Sequence, residues 1–431
     1  MKKKALIMTM TLALVTGLFA GCGSEAVSSS ASVSSKTEIS KEAKTQTSTS
    51  AKASTETKTS TETSTETKTS TETSTETSTD TSSNNQEAYN VDRSRVFDIL
   101  SNINIGWNLG NTLDATGGGN SVNAETSWGN PKTTQEIVDT VNDRGFNAIR
   151  IPVTFANHLG PAPEYPISAD WLARVKEVVD YAVNDGMYII LDTHHETNYW
   201  LKTDPNNEAA LCEELAAIWK QLAEAFKDYD EKLMFEGMNE PRMAGSAKEW
   251  SGGTPAERKL INAMNKAFID AVRATGGNNA DRVLIICTYG HNSDEPTLKD
   301  LEIPSDPNIA VALHTYTPYF FTYVADGSYS VWNGSKKNDI TWQYNNIKKY
   351  LIDKGIPVVI TETGAQFKEN TEDIVRWIGD YVGTLDQDGV KCFIWDNNIY
   401  HGNGEKFGLL NRSLLKWYND DIVDAYVNHA K

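Results

Sequence analysis

The chain has 431 residues and a formal net charge of −18, from 58 acidic and 40 basic side chains. That surplus of acid argues against nucleic acid as a partner, because phosphate binding needs a basic footprint. It suits a neutral ligand such as an uncharged polymer, although acidity also serves solubility alone.

Three lysines (Lys2, Lys3 and Lys4) precede the apolar run ALIMTMTLALVTGLFAG, which ends at Cys22. A charged start followed by a short apolar run is the layout of an export signal rather than of a membrane span. The stretch LFAGCGS resembles a bacterial lipoprotein cleavage site, with Phe19 departing from the usual leucine-like residue three places before the cysteine. Residues 1–22 are therefore expected to direct export. Cys22 would carry the lipid and hold an extracellular protein on a membrane surface without spanning it.

Residues 23–90 are expected to be a disordered linker. No aromatic residue occurs from Ser24 to Ala88, and STETKTSTET-like repeats rich in Ser, Thr, Glu and Lys fill the space. Such a segment cannot bury enough apolar surface to offset its chain entropy. Its root-mean-square reach would be roughly 45 Å. The folded part should then run over residues 91–431, where all eleven tryptophans lie.

Within that part, apolar bursts alternate with helix-like stretches. The first burst is INIGWNLG near Ile103. Ile137, Val138 and Val141 then mark a helix face before NAIRIPV near Ile149. Trp171, Val175, Val178, Val179 and Ala182 mark the next, before MYIILDTHH near Ile189. Leu211, Leu215, Ile218, Trp219, Leu222 and Phe226 precede KLMFEGMNE. A helix over Pro255–Ala274 precedes RVLIICTYG, and only a short helix fits before IAVALHTYT. Helices over Trp342–Lys354 and Thr371–Leu385 precede PVVITETG and VKCFIWDNN, and a last helix is expected over Leu414–Asn428. Continuous apolar runs suit strands buried on both faces of a parallel sheet. Eight of them alternating with helices predict an α/β fold, a (β/α)8 TIM barrel forming a single catalytic domain. A doubly wound open sheet is the rival, but the glycines of NLGNTLDATGGGN lack the phosphate-turn spacing. Cys212, Cys287 and Cys392 lie in apolar stretches without zinc-site spacing and read as small buried hydrophobes.

The C-terminal strand ends are polar. Arg150, His194 and His195, Asn239 and Glu240, His314 and Tyr316, Glu362, and Trp395 with Asp396 and Asn397 all fall there. In a barrel these positions share one mouth. Glu240 and Glu362, at the ends of the fourth and seventh strands, could face each other, which is the requirement for glycoside hydrolysis. Their separation would decide between retention and inversion. A metal site is the competing reading of the same histidines and glutamates, but HHETN lacks the second spaced histidine of a zinc motif, so no metal or other cofactor is expected. Trp128, Trp200, Trp250 and Trp332 fall in loops and could stack on sugar faces. Trp171, Trp219, Trp377 and Trp417 read as helix packing. Arg150 also fits a core salt bridge, and Trp395 also fits simple packing.

The stretches GWNLGNTLDA, ETSWGNP, FNAIRIPV, LDTHHE, FEGMNEPR, HTYTP, ITETG and FIWDNN resemble glycoside hydrolase family 5, and within it the subfamily 4 endo-β-glucanases, over essentially the whole folded part. The resemblance implies an acid/base at Glu240 and a nucleophile at Glu362. It implies support from Arg150 and Tyr316 to the nucleophile, from His314 to the acid/base and from His194. Asn239 would grip the sugar 2-hydroxyl, and Trp395 would lie beneath the sugar being cleaved. His195, Asn111, Trp128 and Asn398 would line the substrate cleft. Arg150 would keep Glu362 ionised. The implied activity is a retaining endo-β-1,4-glucanase acting on cellulose-like glucan, mixed-linkage β-glucan or xyloglucan. Mannan or xylan hydrolysis, or an inactive glycan-binding lipoprotein, are the alternatives. The protein is expected to be monomeric.

Overall fold

A computed structural model describes residues 88–429; Cys22, the export segment and almost all of the 23–90 stretch lie outside the described residues. Eight parallel strands close into a barrel in chain order. They are β1 (Gly106–Leu109), β2 (Ala148–Val153), β3 (Tyr188–Thr193), β4 (Leu233–Glu236), β5 (Leu284–Cys287), β6 (Ile309–His314), β7 (Val358–Thr363) and β8 (Lys391–Asp396). Every predicted strand is present.

After a first short helix the α-helices in chain order are α2 (Gln135–Arg144), α3 (Ala169–Asn184), α4 (Glu208–Ala225), α5 (Pro255–Arg273), the short α6 (Glu295–Asp300) and α7 (Tyr319–Thr322), α8 (Lys337–Tyr350) and α9 (Thr371–Leu385). The start of α5 is fixed by a capping box between Thr254 and Glu257, with Pro255 in the first turn. The helix α1 (Ser94–Ser101) was not foreseen. Its Val96, Ile99 and Leu100 join Ala148, Ile190, Met234, Ala312, Val359 and Phe393 in one buried cluster, which fills the barrel interior. Ala88 is buried against the core and Tyr89 packs on it, so ordered packing begins a few residues before 91.

Side chains in a strand alternate between its two faces. Two residues beyond the inward Gly106, Ala148, Ile190, Met234 and Phe393 come Asn108, Arg150, Asp192, Glu236 and Trp395. The alternation therefore sets a polar layer directly above the apolar filling, and register pairs Asn108 with Arg150 and Asp192 with Glu236. Gly106 is required for this filling. A Cβ there would lie 2.0 Å from the Phe393 ring.

The expected helix over Leu414–Asn428 is a difference. The chain forms a two-stranded hairpin, β9 (Leu410–Asn411) and β10 (Lys416–Trp417), and only then α10 (Asp420–His429). The Asn411 side chain accepts the Leu414 backbone N–H and Leu415 has φ +52°, so Leu414 and Leu415 make an exposed hairpin tip rather than a helix face. Trp417 accordingly lies on a strand, where it stacks on Phe146. Cys287 and Cys392 are buried and Cys212 is half-buried, all three as free thiols.

Candidate active site

The polar layer is organised around Arg150, which is fully buried. Its guanidinium lies 2.6 Å from Glu236, 2.5 Å from Asp192 and 3.5 Å from Glu362. It also donates to the side-chain oxygens of Asn108 at 3.1 Å and Asn239 at 2.9 Å. One buried cation thus faces three carboxyls. Burial works against the Arg150 charge, yet the three acids raise its pKa overall. Glu236 is held well below the usual carboxylate range: burial opposes ionisation, but Arg150 and the hydrogen bond from His291 outweigh it. Asp192 is pushed up to about 7, mainly by burial, with Arg150 opposing.

Above this layer the chain leaves β4 through Met238–Asn239–Glu240–Pro241. A residue before proline is driven out of the right-handed helical region, and Glu240 has φ +42°, the left-handed region that non-glycine residues seldom enter. Its backbone N–H is held by His291 Nδ1 at 3.0 Å, and its carboxylate receives His314 Nδ1 at 3.0 Å and Arg242 at 3.4 Å. Across the mouth Glu362 accepts the Tyr316 hydroxyl at 2.6 Å. His314, at the end of β6, lies between the two. One oxygen of Glu240, one of Glu362 and a ring nitrogen of His314 all lie within 4.8 Å of one another.

The expectation that Arg150 keeps Glu362 ionised needs correction. Burial first, then the charge of Glu240, push Glu362 up to about 8, with Arg150 and Tyr316 acting in the other direction. The guanidinium is shared, and its shorter contacts go to Glu236 and Asp192. Burial and the neighbouring Glu240 charge thus oppose ionisation of Glu362, and Arg150 and Tyr316 offset them only in part. With the proton on Glu240, the repulsion disappears and the Tyr316 and Arg150 donors favour a charged Glu362. Tyr316 is pushed well above its usual pKa by burial and by Glu362, so it stays a donor. His314 and His194 are held well below the usual histidine value, chiefly by burial, and are neutral.

The remaining predicted residues fall around the same mouth. His194 bonds Asp192 at 2.9 Å and stacks on Trp395 at 5.6 Å with an interplanar angle of 4°. Trp395 is nearly buried and passes against Gly110, where a Cβ would lie 2.7 Å from the indole. His195 reaches Asp114 at 3.5 Å and lies 5.4 Å from Trp128, which is exposed. Asn111 and Asn398 both have left-handed backbone. Asn130 links them: it donates to the Asn111 carbonyl at 2.7 Å and accepts from the Asn398 side chain at 2.8 Å. The Asn398 oxygen also accepts the Arg412 backbone N–H, so both ends of that amide hold loops together. Trp332 is buried and donates to Asp380, so it packs rather than presenting a sugar platform. Trp200 packs on the core, whereas Trp250 is exposed with the Arg242 guanidinium 4.2 Å from its ring centroid.

A model of the cellulase (glycosyl hydrolase family 5) sequences matches residues 113–401. The chain belongs to glycosyl hydrolase family 5. Among its family-5 relatives, Endoglucanase A of Ruminococcus albus is 45% identical over 339 residues, covering 78% of this chain and 92% of that protein. Endoglucanase A of Clostridium longisporum is 41% identical over 342 residues, 78% of this chain and 66% of that protein. The solved structure of a GH5-4 broad specificity endoglucanase from Ruminococcus champanellensis with bound cellotriose aligns with TM-score 0.74 at 41% identity, over 76% of this chain and 97% of that one. A GH5 family lichenase from Caldicellulosiruptor sp. F32 aligns with TM-score 0.75 at 36% identity, over 79% of this chain and 96% of that one.

Glu236, His291, Asp192, Asn108 and Asp114 belong to this family-5 site and were not singled out from the sequence. Strand alternation counted from Met234 would have pointed Glu236 inward. Nothing local marks His291. Among the described residues three groupings have cation-binding distances: Asp114 with His194 and His195, Glu236 with His291 and His314, and the Glu240–His314–Glu362 group. Their carboxylates already have partners. The Asp114 oxygens take the backbone N–H groups of Asn111 and Thr112, and Glu236 takes Arg150, His291 and Thr361.

Proposed function

We propose that this protein is a retaining endo-β-1,4-glucanase working by double displacement. Glu362 attacks the anomeric carbon while Glu240 gives its proton to the departing glycosidic oxygen. Glu240 then takes a proton from water as that water displaces Glu362 from the sugar. The observation that carries the reading is the placement of one oxygen from each carboxyl within 4.8 Å. A nearest-oxygen gap this short brings the carboxyls together on the scale of the roughly 5–5.5 Å group separation of retaining enzymes, whereas inverting enzymes hold the two groups about 6.5–9.5 Å apart to admit a water.

Cellulose-like glucan, mixed-linkage β-glucan or xyloglucan is the proposed substrate. The cellotriose-bound relative supports this class, as does an exposed aromatic surface at the mouth. Trp128 stands beside His195 on one side. From Tyr316 a run of rings leads outward through Tyr323 (5.4 Å) to Tyr319 (5.4 Å), and Phe320 lies 4.9 Å from Tyr329. Tyr319 and Phe320 are each 57% exposed. Flat aromatic faces without charge suit the apolar faces of a neutral glucan.

The test is incubation with β-glucan, xyloglucan, mannan and xylan, with the first anomer formed read by NMR. We expect β-product from glucans and its loss in Glu362→Ala; α-product, or activity confined to mannan or xylan, would overturn the reading. Binding of glucan without release of new ends would mark a glycan-binding protein instead. We also propose export and anchoring at the cell surface through lipidated Cys22, on the strength of LFAGCGS alone. Cys22→Ala should then release the protein from membranes into the medium and abolish labelling by radioactive palmitate.

A further inference from the structure

We propose that Glu236 and His291 are a positioning pair, which sets the proton affinity of the nucleophile and the backbone pose of the acid/base at once. The inference rests on the roles given above to Glu240 and Glu362.

The pair forms one continuous buried link. Glu236 takes Arg150 Nε at 2.6 Å, while Glu362 meets the same guanidinium only at 3.5 Å. A backbone N–H can only donate, so His291 Nδ1 must accept the Glu240 N–H. The His291 ring hydrogen therefore sits on Nε2 and is donated to Glu236 Oε1 at 2.9 Å. Thr361, the neighbour of Glu362 in β7, donates to that same oxygen at 2.9 Å. Glu240 and His291 both have left-handed backbone, at φ +42° and +52°. Non-glycine residues hold such a conformation only where their surroundings fix it, and the bond between them supplies that fixing.

The charge balance gives the link its second effect. Arg150 from β2, Asp192 from β3, Glu236 from β4, Glu240 beyond it, His314 and Tyr316 from the end of β6, Tyr323 behind Tyr316, and His291 are the titratable groups around Glu362. The guanidinium is divided among Asp192, Glu236 and Glu362. By taking the short contact, Glu236 denies it to Glu362. The nucleophile then keeps enough proton affinity for the catalytic pair to retain its one proton in the resting site.

The experiment measures the pH–rate profile of the full-length protein on β-glucan. Glu236→Gln removes the competing charge, so the sum of the two profile midpoints should fall by about 1 unit or more, the scale of an opposite charge gained at close range. A residue with a structural role alone would lower kcat and leave the midpoints in place. Two His291 variants separate the two ends of the link. His291→Asn sets an oxygen near the Nδ1 position and keeps the acceptor for Glu240. His291→Gln sets a nitrogen near the Nε2 position and keeps the donor for Glu236. We expect His291→Gln to lose about tenfold or more in kcat, because it releases the acid/base backbone, with little change in KM. His291→Asn should lose distinctly less. Unmoved midpoints in a folded Glu236→Gln, or equal losses in the two His291 variants, would overturn the proposal. Should Glu236→Gln not fold by near-ultraviolet circular dichroism, the His291 comparison decides alone. Wild-type protein inactive on β-glucan would instead defeat the function proposed above, so the two failures are distinguishable.

Discussion

Replacing Tyr316 by Phe removes a single oxygen, the one that donates to Glu362 at 2.6 Å. A hydrogen bond to a charged group contributes about 1.5–3 kcal/mol, equivalent to about 1–2 pKa units. The donor stabilises Glu362 only when that carboxyl is ionised. In the doubly protonated pair it contributes little, and in the doubly ionised pair it contributes in full. The sum of the two macroscopic midpoints must therefore rise by about 1–2 units in Tyr316→Phe, whichever carboxyl holds the shared proton between them. The productive form, with Glu240 protonated and Glu362 charged, becomes rarer by the same energy, about 10–150-fold. The assay is initial release of reducing ends from soluble β-glucan across the pH range in which the folded protein persists. It would be run for wild type and variant, with circular dichroism as the folding control. A summed midpoint that stays put or falls would refute the reasoning. Glu236→Gln should move the same sum in the opposite direction, so the two variants check each other.

Glu240→Ala should lose most activity on β-glucan, yet keep its first chemical step on an aryl β-cellobioside whose leaving group needs no proton; a burst of phenolate in stopped flow followed by a slow steady rate would show this, and equal loss on both substrates would count against the role. Tyr319→Ala combined with Phe320→Ala should raise KM on long glucan about 30-fold while leaving the rate on a short aryl cellobioside unchanged, at about 1 kcal/mol per lost stacking face. Gly106→Ala should destabilise by about 1–3 kcal/mol in urea denaturation, because the added methyl overlaps the Phe393 ring at 2.0 Å.

The barrel was legible because its strands are buried on both faces and so read as unbroken apolar bursts, which turn residues then punctuate. The two mouth glutamates were legible for a related reason: Glu240 and Glu362 fall a few residues past Leu-Met-Phe and just past Val-Val-Ile, beyond the core-filling part of their strands, and strand ends are where a barrel puts its chemistry. Helices failed where apolarity did not mean burial. Leu414 and Leu415 supply the right residues for a helix face, but an asparagine-capped turn leaves them at an exposed hairpin tip. Trp332 failed in reverse, as a loop residue drawn into the core against Phe321 and held there by Asp373 and Asp380.

The electrostatics of the site were legible in kind but not in outcome. Arg150 two residues beyond Ala148 on β2 must point inward, and an inward arginine must find acids. Which acid receives it depends on three strands at once, because Asp192, Glu236 and Glu362 arrive from β3, β4 and β7. Proximity in the sequence ranks none of them. Distance ranks Glu362 last, so the guanidinium offsets its burial and the nearby Glu240 charge only in part, and its proton affinity is raised rather than lowered. A retaining hydrolase needs one proton in that pair, since the first half of its reaction begins with one acidic and one charged carboxyl and leaves the acid/base charged and the nucleophile bound as a glycosyl ester, and the second half restores the proton from water. The residue that withholds the guanidinium, Glu236, thus belongs to the proton inventory of the reaction, although it never meets the sugar.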